Sequence, residues 1–202
     1  MKVAVIDYGA GNLRSIKNAL RKLSAEADFI TSPADIDCAD AIILPGVGAF
    51  GDAMKKLSVF KQPLKDATND GLPFLGLCLG SQVIFEESLE SPNVKGLGLL
   101  SGKCVRFNPS FKVPHMGWNN ITIKKETPLL SGIKDSDFFY FVHSYYPVPK
   151  SNLATAATTS YAGVDFTSVV AEGNIFATQF HPEKSGETGL KILKNFIGIA
   201  RH

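Results

Sequence analysis

Short apolar runs alternate with helix-like segments through the first half of this 202-residue chain, and this alternation restricts the fold more than any other feature. The runs VAVI, AIIL and PFLGL are apolar throughout, which is typical of strands covered on both faces. Because parallel strands need a long crossover connection, usually a helix, the pattern predicts an α/β fold with an open, mostly parallel central sheet flanked by helices.

Helices are predicted between and after these strands. NLRSIKNALRKL, at residues 12–23, has apolar residues at helical spacing. Residues 54–70 are expected to form a helix that Pro63 breaks or kinks. SQVIFEESLE, at residues 81–90, is expected to continue the chain as a helix after the strand PFLGLC. The last segment, GETGLKILKNFIGIARH, predicts a closing helix with Leu190, Leu193 and Ile197 on one face.

The second half of the chain has a different pattern. Strand-like segments separated by Gly, Pro, Asn and Ser follow one another there, and they predict antiparallel additions to the central sheet. No internal repeat, low-complexity tract or linker divides the sequence, and its length suits one domain. Residues 1–202 are therefore expected to form a single domain.

Composition excludes several kinds of partner and cofactor. The net charge of +2 and the lack of a basic stripe argue against nucleic acid. No stretch approaches the roughly 18 to 20 apolar residues of a membrane helix, and no secretory signal is visible. The three cysteines, Cys38, Cys78 and Cys104, match neither a disulfide framework nor a zinc pattern. We therefore expect a cytoplasmic protein without a metal or cofactor.

The segment GLCLG, at residues 76–80, has the spacing of a nucleophile elbow with cysteine in place of serine. Glycines on both sides let the neighbouring backbone approach closely, and a cysteine at a helix N-terminus is favoured as the thiolate. In this setting the N–H of Leu79 is aimed at a developing oxyanion. The alternative is that Cys78 is a buried cysteine that only packs, which is the interpretation we favour for Cys38 and Cys104.

A thiolate nucleophile needs a base, and the base needs an orienting group. The chain has four histidines, at positions 115, 143, 181 and 202. His181 follows an apolar strand, at the end where open α/β sheets build their sites, and Glu183 lies two residues further on. Cys78, His181 and Glu183 are therefore predicted to be nucleophile, base and orienting carboxylate. The alternative is a surface turn in which the histidine and the glutamate are incidental.

A glycine-rich loop, PGVGAFG at residues 45–51, follows the strand AIIL directly. Gly46, Gly48 and Gly51 match a dinucleotide-binding pattern literally, but the loop follows the third strand and lacks an acidic partner for a ribose. We expect instead that Val47 or Gly48 directs a backbone N–H at the same oxyanion as the Leu79 N–H. A plain tight turn is the simpler alternative.

LGLCLGSQ, FHPE and PGVGAF together resemble the class I, or triad-type, glutamine amidotransferase domain. The added segments YGAGN, PHMGWN and YFVHSYY resemble, more narrowly, the glutaminase subunits of imidazole glycerol phosphate synthases, and the resemblance spans nearly the whole chain. It implies the fold of that family. It also implies that Cys78 attacks the side-chain amide of L-glutamine to form a glutamyl thioester, that His181 carries the proton to ammonia, and that Glu183 orients His181.

The resemblance extends to binding residues. It implies that the glutamine and its oxyanion are held by Gly46, Val47, Gly48, Leu79, Gln82, Glu90, Ser144 and Tyr145. It implies that the residues facing a synthase partner are Asn12, Trp118, Tyr140 and Lys184. Each has a simpler alternative, such as a core aromatic for Tyr140 or a solvated charge for Lys184.

A partner is expected because a chain of this length has no room for a second catalytic domain beside the amidotransferase fold. The resemblance implies what that partner is. The expected partner is a (β/α)8 barrel cyclase subunit, which receives the ammonia and holds the phosphorylated substrate. An oxyanion loop that stays wrongly turned until the partner binds its ligand would prevent waste of glutamine. Three alternatives stay open: an amidotransferase subunit of another synthase, a cysteine hydrolase of similar fold, and a non-catalytic relative that only binds a partner.

Overall fold

A computed structural model describes residues 1–201 of the chain, so His202 lies outside the described residues. The strands within that range are β1 Lys2–Ile6, β2 Glu26–Ile30, β3 Ala41–Leu44, β4 Phe74–Leu77, β5 Glu87–Ser88, β6 Gly102–Arg106, β7 His115–Asn120, β8 Thr122–Ile123, β9 Phe138–His143, β10 Tyr145–Pro149, β11 Thr155–Tyr161, β12 Val164–Glu172 and β13 Ile175–Thr178.

The α-helices are α1 Leu13–Lys22, α2 Phe50–Leu57, α3 Lys61–Asn69, α4 Leu79–Val83 and α5 Gly186–Ile199. Short 3-10 turns occupy Pro33–Cys38, Ser58–Phe60, Pro128–Leu130, Asn152–Ala154 and Pro182–Lys184. Among the helices of residues 1–201, none is long and apolar enough to cross a bilayer.

The central sheet has eight strands in the order β2-β1-β3-β4-β13-β12-β11-β8. Strands β2, β1, β3, β4 and β13 run parallel to one another, and β12, β11 and β8 extend the sheet from β13 through antiparallel pairs. The prediction of an α/β fold with a mostly parallel sheet and antiparallel additions is confirmed. Because β4 and β13 lie side by side and run in the same direction, the residues that follow them meet at one edge.

Two smaller sheets cover that edge. Strands β10, β6 and β5 form one, and the antiparallel ribbon of β7 and β9 forms the other. The ribbon pairs His115 with His143 and Trp118 with Tyr140. The segments PHMGWN and YFVHSYY, which are far apart in sequence, therefore lie beside each other.

Alternate residues of the central strands pack into two cores, one on each face of the sheet. On β1, Val3 and Val5 join the core formed with helices α1 and α5, whereas Ala4 and Ile6 join the core formed with α2, α3 and α4. Both faces are thus covered, as the apolar runs predicted.

The helix expected over residues 54–70 is broken, but not at the proline. Helix α2 ends at Leu57, a 3-10 turn follows, and α3 begins at Lys61. Pro63 is the third residue of α3, where a backbone N–H has no intrahelical partner in any case. A proline in this first turn is therefore tolerated, and the break lies before it.

The helix expected over residues 81–90 is largely absent, because α4 ends at Val83. The carbonyl oxygens of Val83 and Ile84 accept hydrogen bonds at 2.8 Å from the N–H groups of Leu97 and Leu99, and Phe85 and Glu86 are engaged by the same returning loop. Since these carbonyls are taken by a segment more than ten residues away, they cannot bond to the next helical turn.

Candidate active site

Cys78 occupies a single-residue turn between the end of β4 and the start of α4. Its backbone has φ +52° and ψ −105°, in the left-handed half of the map that non-glycine residues rarely adopt. The flanking glycines are required by contact: a Cβ on Gly80 would lie 1.9 Å from the carbonyl oxygen of Leu44, and one on Gly76 would lie 2.7 Å from that of Gly80. The structure thus has the sharp strand-to-helix turn that the sequence predicts.

His181 and Glu183 lie beside this turn, just after β13. The Nδ1 atom of His181 is 2.7 Å from Oε1 of Glu183, and each side chain is only 3% exposed. Because Nδ1 is engaged by the carboxylate, Nε2 is the nitrogen available for proton transfer; it is buried and has no hydrogen-bond partner within residues 1–201. The structure therefore brings the three predicted triad residues together.

The electrostatics of the site favour a protonated His181. Burial by itself lowers the pKa of this imidazole, but the adjacent Cys78 sulfur and the Glu183 carboxylate outweigh burial and raise the pKa well above its usual 6.5. An imidazolium stabilised by a neighbouring thiolate is the arrangement that activates a cysteine nucleophile.

A cavity of about 290 Å³ opens over Cys78 and His181. This volume is at the small end for ligand pockets and suits an amino acid. The lining includes seven of the eight residues assigned to glutamine by resemblance, namely Val47, Gly48, Leu79, Gln82, Glu90, Ser144 and Tyr145. Gly46 does not line it; Pro114, Val142 and His143, which no sequence argument assigned to the site, do.

Two of the predicted ligand-binding side chains are held by internal hydrogen bonds. Oε2 of Glu90 accepts a 2.7 Å hydrogen bond from the N–H of Phe50, the first residue of α2. Nε2 of Gln82 donates to the Tyr145 carbonyl oxygen at 2.9 Å and to Oε1 of Gln179 at 3.0 Å. Both amide hydrogens of Gln82 are thus used, which leaves its Oε1, an acceptor, for a ligand.

The oxyanion site differs from the expectation. The Leu79 N–H is not free but donates to the Gly46 carbonyl oxygen at 3.4 Å. The glycine-rich loop, which was predicted to supply a second donor, therefore places an acceptor there instead. Gly46 is tightly enclosed, since a Cβ would lie 2.4 Å from the Tyr8 hydroxyl oxygen. Gly48 has φ +99°, and a Cβ on it would meet no atom within 4 Å in the described part of the chain. The loop thus combines one enclosed glycine with one unobstructed glycine.

A buried pair of histidines, to which no sequence pattern assigned a role, lies beside the cavity. His143 Nδ1 lies 2.8 Å from the Tyr145 carbonyl oxygen, and His143 Nε2 lies 3.1 Å from His115 Nδ1. Since a carbonyl only accepts, His143 Nδ1 carries the hydrogen and His115 Nδ1–H donates to His143 Nε2. Both rings are neutral, and burial lowers the pKa of His115 to about 4 and that of His143 to about 3. Their only signal in the sequence was their place in PHMGWN and YFVHSYY.

The buried histidine pair predicts a loss of stability in mild acid. Unfolding frees both imidazoles to take up protons near pH 6.5, whereas the folded chain excludes those protons until about pH 4 and 3. The stability from this pair is present above pH 6.5 and is lost as pH falls. His181 affects stability in the opposite direction, because folding raises its pKa. Its contribution to the free energy of unfolding is nearly complete below pH 6.5 and is lost as the pH rises.

We expect the free energy of unfolding in urea to fall by about 1.5 kcal/mol between pH 6.5 and 5.5. His115→Asn should roughly halve this slope. An unfolding free energy that stays constant across this interval would show that the pair is not neutral in the folded chain.

The predicted partner-facing residues fall into one group of three and one separate residue. Trp118 is 56% exposed and packs edge-on against Tyr140 at 6.1 Å between ring centroids. Lys184 Nζ lies 5.9 Å from the centroid of the Tyr140 ring, which itself lies 6.5 Å from the ring of His181. Asn12 is exposed, and its Oδ1 instead accepts from the Ser15 N–H at the start of α1.

Comparison with known proteins gives one family. The family model described as "Glutamine amidotransferase class-I" matches residues 4–199. A protein of Methanothermobacter thermautotrophicus named imidazole glycerol phosphate synthase subunit HisH is 54% identical over 199 residues, covering 98% of this chain and 99% of that protein. Proteins of the same name from Methanosarcina acetivorans and Methanocaldococcus jannaschii are 51% and 47% identical, each covering at least 97% of both chains.

Among solved structures, PurLQS from Thermotoga maritima matches with a TM-score of 0.78 at 20% identity, covering 98% of each chain. A putative GMP synthase subunit from Thermoplasma acidophilum matches with a TM-score of 0.75 at 21% identity, covering 100% of this chain and 94% of that one. At these identities the likeness concerns the fold.

Proposed function

The chain belongs to the class I glutamine amidotransferases and, within them, to the glutaminase subunits of imidazole glycerol phosphate synthase, and from this we propose how its own residues release ammonia from L-glutamine. The observation that carries the proposal is the set of contacts around His181 in the cavity that Cys78 also lines. Glu183 holds Nδ1 of His181, Nε2 has no hydrogen-bond partner among the residues that the structure describes, and Cys78 lines the same cavity as His181.

The reaction begins with attack of the Cys78 thiolate on the side-chain carbonyl carbon of glutamine. The carbonyl electron pair moves to oxygen, and its return expels the amide nitrogen, which takes the proton from His181 Nε2 and leaves as ammonia. The product is a glutamyl thioester on Cys78. Water then gives a proton to His181 and attacks the thioester, and glutamate leaves as the thiolate is restored. Glu183 keeps the imidazole in the tautomer and orientation that both steps need.

The cavity accounts for recognition of the amino-acid end of glutamine. Glu90 and the free Oε1 of Gln82 present acceptors, which suit an α-ammonium group. Ser144 and Tyr145 also line the cavity, and we assign them to the α-carboxylate. Because the Phe50 N–H fixes one oxygen of Glu90, the carboxylate is oriented before the ligand arrives.

The conformation of the Gly46 loop corresponds to a resting state. The 3.4 Å contact between the Leu79 N–H and the Gly46 carbonyl is long and weak, and it fills the position where the substrate oxyanion belongs. Rotation of the Gly46–Val47 peptide removes this carbonyl and directs the Val47 N–H into the site. Gly46 has no room for a Cβ beside the Tyr8 hydroxyl, whereas Gly48 has positive φ and room around it, and we infer from this that the peptide between Gly46 and Val47 can take two orientations.

The chain works with a partner subunit, and we assign that partner as a (β/α)8 barrel cyclase that receives the ammonia. The support lies on the exposed face of the β7–β9 ribbon, where Met116, Trp118 and Phe138 are each more than half exposed. Such an apolar group is typical of a protein contact. Tyr140 connects this face to His181, both through ring proximity and through a 2.9 Å hydrogen bond from the His181 N–H to the Tyr140 carbonyl.

The test is glutamine hydrolysis by the isolated chain, by the chain with the barrel subunit, and by that complex with its phosphorylated ligand. We expect the ligand-bound complex to be faster than the isolated chain by about a hundredfold or more, since one oxyanion donor is worth about 10² to 10³ in rate. Full activity of the isolated chain would overturn the resting-state proposal. Absence of hydrolysis in all three samples would overturn the proposed function itself.

A further inference from the structure

The carboxamide of Gln179 lies against the reactive sulfur. Gln179 is 1% exposed, and its Nε2 is 3.9 Å from Sγ of Cys78. We propose that Gln179 is a catalytic residue that stabilises the Cys78 thiolate by donating an amide hydrogen to it, and that Gln82 holds Gln179 in the orientation this requires. The inference rests on the proposed function, because it assigns a further group to the same reaction.

The direction of each hydrogen bond follows from chemistry. The Tyr145 carbonyl oxygen can only accept, so the atom of Gln82 that lies 2.9 Å from it is the amide nitrogen. The same nitrogen lies 3.0 Å from Gln179, so Gln179 must present its oxygen to Gln82. The Nε2 of Gln179 is then the atom that faces the sulfur. The orientation of Gln179 is therefore fixed by a chain of bonds that begins at a backbone carbonyl.

The Cys78 sulfur lies between one acceptor and one donor. The Val142 carbonyl oxygen is 3.9 Å from Sγ and accepts from the S–H of the neutral thiol. Once the proton leaves, this carbonyl repels the negative sulfur, whereas the Gln179 N–H attracts it. A donor at this place favours the charged form of the sulfur over the neutral thiol. It acts together with His181, which faces the sulfur as a cation.

The two ends of the Gln82 carboxamide have different roles. Its Nε2 belongs to the network that orients Gln179, and its Oε1 is left toward the amino-acid end of the substrate. Binding of glutamine and orientation of Gln179 thus depend on the same side chain, that of Gln82. Gln179 has no such double role, since its Oε1 is engaged by Gln82 and its Nε2 faces the sulfur.

The experiment measures how fast iodoacetamide alkylates Cys78 as a function of pH, in a Cys38→Ser background so that the exposed thiol does not interfere. In Gln179→Met the side chain keeps its length but loses the donor, and the midpoint of the pH–rate curve should rise by about one unit. In Gln179→Glu a carboxylate faces the sulfur, and the rise should be larger. Gln62→Met, which changes an exposed glutamine on α3, is the matched control and should leave the midpoint unchanged.

A purely structural role for Gln179 predicts lower stability with an unchanged midpoint. Midpoints of both Gln179 variants within about 0.2 units of the parent would overturn the inference, and if one variant does not fold, the other decides. The alkylation does not need glutamine turnover, so the outcome is independent of the proposed function. Failure of that function is detected separately, as absence of glutamine hydrolysis by the parent complex.

Discussion

Cys78→Ser is expected to abolish glutamine-dependent synthesis by the complex, with a loss of about 10⁴-fold or more in kcat. A serine hydroxyl is not ionised near neutral pH, and the site raises the pKa of His181 because a thiolate lies beside it. Without that anion, the protonated form of His181 loses one of the interactions that stabilise it. The measurement is product formation by the complex with glutamine as nitrogen donor.

The same variant should use free ammonia at nearly the wild-type rate, because ammonia bypasses the thioester. This retained activity shows that the complex is folded and assembled. Cys38→Ser is the matched control: Cys38 is exposed and remote from the cavity lining, so both activities should be unchanged. Loss of both activities in Cys78→Ser would point to a folding role for Cys78, and retention of both would exclude it as the nucleophile.

Gly189→Ala is expected to lower the free energy of unfolding by about 3 kcal/mol and glutaminase activity by about 10²-fold. A Cβ on Gly189 would lie 1.9 Å from the Pro182 carbonyl oxygen and 2.8 Å from Ser185 Cβ. Both neighbours belong to the turn that carries Glu183, and backbone atoms cannot move aside as a flexible side chain can. Helix α5 must therefore shift away from the turn and displace the carboxylate that orients His181.

Gly198→Ala, in the same helix, is the matched control. A Cβ there meets no atom of residues 1–201 within 4 Å, and alanine is favoured over glycine inside a helix by roughly 0.8 to 1 kcal/mol. This variant should be as stable as the parent or slightly more stable, with unchanged activity. Urea unfolding and glutamine hydrolysis of the two variants, measured side by side, test the prediction. Equal stabilities would mean that the contact between α5 and Pro182 is not tight.

The central sheet was predictable because its signals are local. An apolar run such as VAVI predicts a strand covered on both faces, and the glycines around Cys78 indicate a sharp turn before a helix. The short distance from His181 to Glu183 along the chain also restricts their geometry. The parallel strands of the first half and the pairing of His181 with Glu183 could therefore be derived from neighbouring residues alone. The meeting of Cys78 with His181 follows only from the rule that open α/β sheets build their sites at the carboxyl ends of the strands.

The remaining features depend on contacts between distant residues. The segment 81–90 has helical composition, but the loop around Leu97 takes the carbonyls that a longer helix would need. Gln82 and Gln179 meet across 97 positions, and no local pattern marks either as part of a network. Similarly, only the folded chain shows that the Gly46 carbonyl reaches the Leu79 N–H. Every residue has the same backbone groups, so the sequence does not indicate whether the carbonyl or the N–H of a given peptide points into the site.

An L-glutamine analogue in which a chloromethyl ketone replaces the side-chain amide tests directly whether Cys78 is the nucleophile that attacks glutamine. After reaction, peptide mapping by mass spectrometry locates the adduct among the three cysteines. We expect one adduct, on the buried Cys78, that L-glutamine suppresses by competition. An adduct on the exposed Cys38 alone, or labelling of Cys78 that glutamine does not slow, would contradict it.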